Sequence, residues 1–126
     1  MNIQNMPNAF PKKLITAAID LEVFTGVKEL AWKKNDAINV ANILCKLNHA
    51  ILGGDVYALR DGIMRSTGDN WFMIKEKQTW QEFVINSKDH TLNYINKYYE
   101  YYERNGDEPY YSIITCPDEL YYLKIE

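Results

Sequence analysis

Residues on which many folds and active sites depend are scarce in this sequence. The chain has two cysteines, Cys45 and Cys116, in 126 residues, which is too few for a disulfide framework. We expect both to be small core residues of a protein in a reducing compartment. The two histidines, His49 and His90, fall in no motif of the kind that ligates zinc, so we expect no metal site and no cofactor. These absences argue against the disulfide-rich secreted proteins and the common metalloenzymes.

Long apolar runs and a basic charge are also missing. Runs such as Ala50-Ile51-Leu52 are far shorter than the roughly 20 residues that span a bilayer. Residues 1–10 do not join a positively charged start to an apolar stretch, so we expect no secretory signal and a cytoplasmic location. The net charge is −3, which disfavours direct binding of nucleic acid. Neither a membrane nor a nucleic acid is therefore expected as a partner.

Length and composition are those of one ordinary globular domain. A chain of 126 residues, 47% hydrophobic and 25% charged, is long enough for one hydrophobic core and is not expected to be disordered. No internal repeat, low-complexity tract or linker interrupts it. We predict a single domain over residues 1–126, in which Pro7 and Pro11 bracket an irregular N-terminal arm, residues 1–11.

Three segments show the apolar spacing of helices. The longest begins at a capping box, in which the Thr79 hydroxyl and the Glu82 carboxylate each satisfy a backbone donor. Asn35 or Asp36 is a suitable cap for the helix before it. The predicted helices are residues 12–25, which Gly26 ends, residues 35–48, and residues 79–104, which Asn105-Gly106 ends.

Segments rich in β-forming residues lie between turn signals. Asp61-Gly62 is a two-residue hairpin turn, since both positions tolerate positive φ, and Thr67-Gly68-Asp69-Asn70 indicates a second turn or a bulge. The predicted strands are residues 27–32, 55–60, 63–66, 71–75 and 110–116, with a short edge strand at 120–125. We therefore predict an α+β fold, with a mostly antiparallel sheet of four to five strands packed against two to three helices.

Asp55 and Asp69 are the residues most open to a catalytic interpretation. They flank the predicted hairpin, and two convergent acids can do general acid–base work or bind a divalent ion. However, an aspartate after Gly53-Gly54 at a strand start, or in a turn, more often bonds to nearby backbone N–H groups. The glycine pair also lacks the lysine and further glycines of a phosphate loop. We predict structural roles for both acids and no catalytic residue, with a small enzyme or ligand-binding domain that uses Asp55 and Asp69 as the alternative.

Acidity and tyrosine are concentrated toward the C-terminal end. From residue 100 onward the chain has seven Asp and Glu against two Lys and Arg, and nine of its ten tyrosines lie from Tyr94 onward. Tyrosine offers rigid amphipathic contact area, and negative charge steers a basic partner. Simple coverage of a helix end is an equal alternative. The predicted partner-binding residues are Tyr99, Glu100, Tyr101, Glu103, Asp107 and Glu108.

Three segments carry a family resemblance. They are Leu30-Ala31-Trp32 followed by Lys34-Asn35-Asp36-Ala37, then Ile51-Leu52-Gly53-Gly54-Asp55-Val56-Tyr57, then Asp69-Asn70-Trp71. In this order, over roughly residues 25–105, the chain resembles the immunity protein 40 family of bacterial polymorphic toxin systems. The glycine-containing segment together with the later Asp-Asn-Trp is the more specific part, and Phe72 supplies the aromatic residue that tends to follow the tryptophan.

The resemblance implies a function that composition alone does not. A member of this family is expected to be made beside a secreted toxin, to bind it and to neutralise it by occlusion, without being an enzyme. A nuclease with a basic cleft is one candidate toxin, by electrostatic analogy alone. A regulatory protein-interaction module is a further alternative. The residues that carry the signature are expected to be structural: Gly53, Gly54, Asp55, Asp69, Asn70 and Trp71.

Overall fold

The computed structural model describes residues 6–125, which form a five-stranded antiparallel sheet and five helices. This confirms the predicted α+β class, and the first five residues of the predicted N-terminal arm lie outside the described part. The strands lie side by side in the order β1-β2-β5-β3-β4. In chain order the elements are α1 (Lys12–Ala17), β1 (Ile19–Asp20), α2 (Glu22–Thr25), β2 (Leu30–Trp32), α3 (Lys34–Lys46), β3 (Ala50–Arg60), β4 (Ile63–Phe72), α4 (Trp80–Arg104), β5 (Glu108–Cys116) and α5 (Glu119–Ile125).

The hairpin of β3 and β4 turns where the sequence predicts. Asp61 and Gly62 have φ values of 52° and 77°, the left-handed geometry that suits the twist of the two strands. Farther along, β4 has a bulge, because Asp55 pairs with Asn70 but Tyr57 pairs with Ser66. The bulge alternative for residues 67–70 is therefore confirmed. The separate strand predicted at 71–75 is wrong, because β4 continues through the bulge and ends at Phe72.

The long helix α4 follows its sequence signals closely. The Glu82 backbone N–H donates to Thr79 Oγ1 at 3.1 Å, and the Thr79 N–H donates to Glu82 Oε1 at 2.8 Å, so the capping box is confirmed. The side chains that α4 buries against the sheet and α3 share one face: Phe83, Val84, Ser87, Thr91, Ile95 and Tyr102. By contrast, Tyr98, about one helical turn before Tyr102, is 40% exposed.

The predicted helix over residues 12–25 is wrong. The chain leaves α1 after Ala17 so that Ile19 can pair with Ala31 of β2, and Leu21 is then fully buried. Tertiary pairing overrides the helical spacing here. The next helix, α3, begins one residue early, with Lys33 at its N-cap position and no side-chain cap bond, so the caps predicted at Asn35 or Asp36 are wrong.

The edge strand predicted over residues 120–125 is also wrong, because this segment is the helix α5. Pro117 follows the end of β5, and the Asp118 carboxylate then accepts the Tyr121 N–H at 2.8 Å, as a helix cap does. Tyr122 is buried in α5 and accepts the Lys75 N–H on its hydroxyl at 2.9 Å. The β-forming character of the tyrosine run concealed the cap before it.

The two faces of the sheet pack against different elements. One face meets α3 and α4 in the larger core, to which Trp32, Val56 and Tyr111 belong. On the other face Leu21 packs with Tyr57 and with further side chains of the sheet. Since successive strand residues point to opposite faces, neighbouring residues of the signature segments face different surroundings.

Candidate functional site

The signature glycines allow an unusually close approach of three strands. A Cβ on Gly54 would overlap the Ser112 carbonyl oxygen of β5 and lie 2.5 Å from Cη2 of Trp71 on β4. Gly53 has φ +150°, and a Cβ there would overlap the backbone of Trp71. Any side chain at either position would push β3 away from its neighbours.

Trp71 fills the space that Gly54 leaves open. It is 4% exposed, and its indole Nε1 donates to Thr91 Oγ1 of α4 at 3.0 Å. Its ring stacks on Tyr94, with centroids 5.0 Å apart, and meets the edge of Tyr111 at 6.3 Å. Trp71 thereby joins the edge strand to the long helix.

Asp55 and Asp69 do not converge. Asp69 accepts the Tyr102 hydroxyl on Oδ2, which places its carboxylate on the side of α4. The backbone partners suggested by the sequence are therefore wrong for Asp69. Asp55 lies on the opposite face, where its own N–H donates to Ser112 Oγ at 3.3 Å and its charge acts on Glu29.

Glu29 belongs to a half-buried polar cluster that sequence reasoning missed. Tyr57 donates its hydroxyl to Glu29 Oε2 at 3.4 Å. Burial, and then the nearby Asp55 carboxylate, raise the pKa of Glu29. Burial, followed by the charge of Glu29, raises the pKa of Tyr57 to about 12. Nothing in the sequence near Glu29 indicated that it meets Asp55 across the sheet.

The predicted binding residues split over two sides of the end of α4. Tyr99 donates to Glu103 Oε2 at 3.2 Å, and Lys34 Nζ lies 4.3 Å from the Tyr99 ring centroid. Tyr99 and Glu108 line one cavity with the start of α3, whereas Tyr101 faces β4. Sequence order alone had grouped them as one surface.

Two of the predicted acids are already paired within the chain. Arg60 Nε donates to Asp107 Oδ1 at 2.8 Å, and Lys33 Nζ lies 3.5 Å from Glu108 Oε2. The local excess of acid in the sequence is therefore partly neutralised by basic residues of β3 and of the segment before α3. Glu100 is exposed, and no ion pair to it occurs within residues 6–125.

A cavity of about 430 Å³ brings the signature and the tyrosine-rich helix together. We call it the tyrosine pocket, and it is lined by Asp69, Asn70, Tyr94, Tyr98, Tyr101 and Tyr102. The rings of Tyr94 and Tyr98 lie 5.0 Å apart, and Tyr101 meets Tyr102 edge-on at 5.4 Å. Burial, and then the hydrogen bond to Asp69, raise the pKa of Tyr102, so its hydroxyl stays protonated and remains a donor.

The comparisons with known proteins give one result. The model of the family described as Immunity protein 40 matches residues 20–115, which is most of the chain. The chain belongs to the immunity protein 40 family. No curated protein and no solved structure matches it.

The part of this immunity protein 40 family member that matches includes the whole tyrosine pocket and the glycine–tryptophan contact. It ends at Thr115, before α5. The resemblance read from the sequence is thus confirmed over a longer stretch than its motifs covered.

A larger cavity, of about 680 Å³, lies between α1, α3 and α4. Its lining residues include Lys13, Lys46, Lys88 and half-buried Cys45. The Lys88 ammonium pairs with Asp89 at 3.0 Å. Cys45 is thus less buried than predicted, whereas Cys116 is fully buried.

Residues 6–125 were considered for a metal site and for a membrane-spanning helix. Within residues 6–125, no three His, Cys, Asp or Glu side chains are grouped so as to hold a metal ion. No helix in that range combines the length and apolar character needed to cross a bilayer.

Replacement of Glu29 by glutamine tests the polar cluster. Because the pKa of Glu29 is higher in the folded protein than in the unfolded chain, protonation of Glu29 favours folding. This contribution to stability is fully present below the unfolded pKa, near 4.5, and is lost as pH rises through the folded pKa. Glu29→Gln is therefore expected to stabilise the protein at neutral pH, with a gain that shrinks as pH falls toward 4.5. Urea denaturation at several pH values measures it, with exposed Glu76→Gln as control. A gain that grows on acidification would contradict the assignment.

Proposed function

We propose that this chain binds a toxin encoded beside it and neutralises the toxin by occluding its active site or an adjacent surface. The observation that carries the proposal is the family match over residues 20–115. A catalytic alternative that uses Asp55 and Asp69 is disfavoured, because the two carboxylates lie on opposite faces of the sheet.

The proposed binding surface is the outer part of the tyrosine pocket and the adjoining turn of α4. Tyr101 is 57% exposed and Tyr98 is 40% exposed, so both rings are accessible to a partner in the folded protein. Glu100, next to Tyr101, adds an exposed negative charge. Exposed tyrosine with charge at its rim is typical of protein interfaces.

The direct test is a titration of the purified toxin domain from the neighbouring gene with this chain. We expect a stable complex and stoichiometric loss of toxin activity. A nuclease would be the complementary toxin class, because a cleft that holds a polyanion is basic, and cleavage of DNA and RNA should be assayed first. A neighbouring protein that is not toxic, or that does not bind, would leave the regulatory-module alternative instead.

Removal of the Tyr101 ring is expected to weaken toxin binding. Aromatic residues at the centre of an interface commonly contribute about 2 kcal/mol or more, so Tyr101→Ala should raise the dissociation constant roughly 30-fold. Phe24→Ala is the matched control, since Phe24 is 45% exposed but lies on α2 and does not line the pocket. Isothermal titration calorimetry measures both. Equal affinity of the two variants would place the interface elsewhere.

A further inference from the structure

Asp69 is the charged residue among those that line the tyrosine pocket. Its Oδ2 accepts the Tyr102 hydroxyl. Within residues 6–125 no lysine or arginine forms an ion pair with it, and no donor reaches Oδ1. Asp107, by contrast, has the Arg60 guanidinium at 2.8 Å. The pocket therefore presents a carboxylate oxygen that a donor from outside can reach.

The walls of the pocket favour a cation that is also flat. The four tyrosine rings offer negative π faces, which attract cations. The Lys97 ammonium lies 5.3 Å from the Tyr98 ring centroid, so one of these rings already has a cation within the attractive range. A guanidinium can stack on such rings and donate to a carboxylate at the same time, whereas an ammonium is a compact, strongly hydrated charge. A phosphate group would instead be repelled by Asp69.

We propose that the tyrosine pocket receives an arginine side chain of the partner protein, whose guanidinium donates to Asp69 and stacks on Tyr101, the most exposed of the four rings. This inference rests on the proposed function, because it assumes a protein partner. The pocket opens beside the exposed rings of Tyr98 and Tyr101, so an arginine on a partner's surface can enter it without movement of the sheet.

A small probe tests the pocket without the toxin. Isotope-labelled protein is titrated with N-acetyl-arginine amide, N-acetyl-lysine amide and N-acetyl-citrulline amide, the last being neutral and nearly isosteric with arginine. We expect saturable NMR shifts of the Trp71 indole N–H and the Asn70 side-chain amide with arginine, with a dissociation constant on the order of millimolar. Weaker shifts are expected with lysine and none with citrulline. Equal shifts with all three probes, or none at these groups, would overturn the proposal.

Asp69→Asn should abolish the arginine response, and Asp61→Asn, the same change in the exposed hairpin turn, should preserve it. If Asp69→Asn does not fold because an amide oxygen is a weaker acceptor for the Tyr102 hydroxyl, Tyr101→Ala replaces it, since removal of that exposed ring leaves the Tyr102–Asp69 bond in place. A Tyr101→Ala response equal to the wild-type response would then count against the proposal.

The toxin separates failure of this inference from failure of the proposed function. Asp69→Asn is expected to weaken toxin binding about tenfold or more. Once Asp69 has been replaced, substitution of the contacting toxin arginine by glutamine should not lower the affinity further. Toxin binding unaffected by Asp69→Asn would overturn the arginine assignment and leave the function standing. A specific arginine response without any toxin binding would overturn the function alone.

Discussion

The Gly54→Ala protein is expected to be largely unfolded under conditions in which the wild-type protein is folded. Its new Cβ would overlap the Ser112 carbonyl oxygen and approach the Trp71 ring. Neither neighbour can yield easily, because one is the backbone of the central strand pair and the other is a buried indole with a hydrogen bond to Thr91. Overpacking usually costs about 1–3 kcal/mol, and a clash with backbone should exceed that range.

Gly68→Ala is the control that isolates the steric effect at Gly54. Gly68 has φ +82°, and a Cβ there would have open space around it. Its replacement should cost about 1 kcal/mol from backbone strain alone. Urea denaturation followed by circular dichroism gives both free energies of unfolding. Losses of equal size would contradict the close approach of β3, β4 and β5 at Gly54.

Trp71→Ala is expected to lower the free energy of unfolding by about 3–5 kcal/mol, the usual cost of removing a buried large aromatic side chain. It removes the stacking on Tyr94 and leaves the Thr91 hydroxyl without its indole donor. Since Tyr94 lines the tyrosine pocket, the loss should also loosen the pocket wall.

Two further variants divide the contribution of Trp71. Trp71→Phe keeps most of the apolar volume but loses the hydrogen bond, so about 1–2 kcal/mol of loss is expected. Phe72→Ala, at the next position of β4 but 68% exposed, should be nearly neutral. Chemical denaturation gives the free energy of unfolding of all three variants. A loss in Phe72→Ala as large as that in Trp71→Ala would contradict the burial pattern of β4.

Local signals explain why much of the fold was predictable. The Thr79–Glu82 capping box and the turn at Asp61-Gly62 act within a few residues, and the structure has both as predicted. The prediction of one helix over residues 12–25 was wrong because the helix is interrupted where residues 19–20 pair with β2. The apolar spacing along the chain does not show this pairing. The helix α5 was missed because one short cap outweighed a run of β-forming tyrosines.

The candidate site was less predictable, because its parts are distant in sequence. Asp69 meets Tyr102 across 33 positions, so the signature and the tyrosine-rich helix could be recognised separately but not joined. The distribution of charge along the sequence was also misleading, because Arg60 lies 47 positions from Asp107, whose charge it neutralises. Composition identified an acidic segment, whereas folding decides which of its carboxylates remain unpaired.

Growth of cells that co-express the neighbouring toxin domain and this chain measures the protection that the proposed function requires. Cells that express the toxin domain alone should stop growing, and cells that also express this chain should grow normally. Rescue should weaken with Tyr101→Ala and persist with Phe24→Ala when both variants accumulate to the wild-type level. Growth arrest that persists at full expression of the wild-type chain would contradict the proposed function.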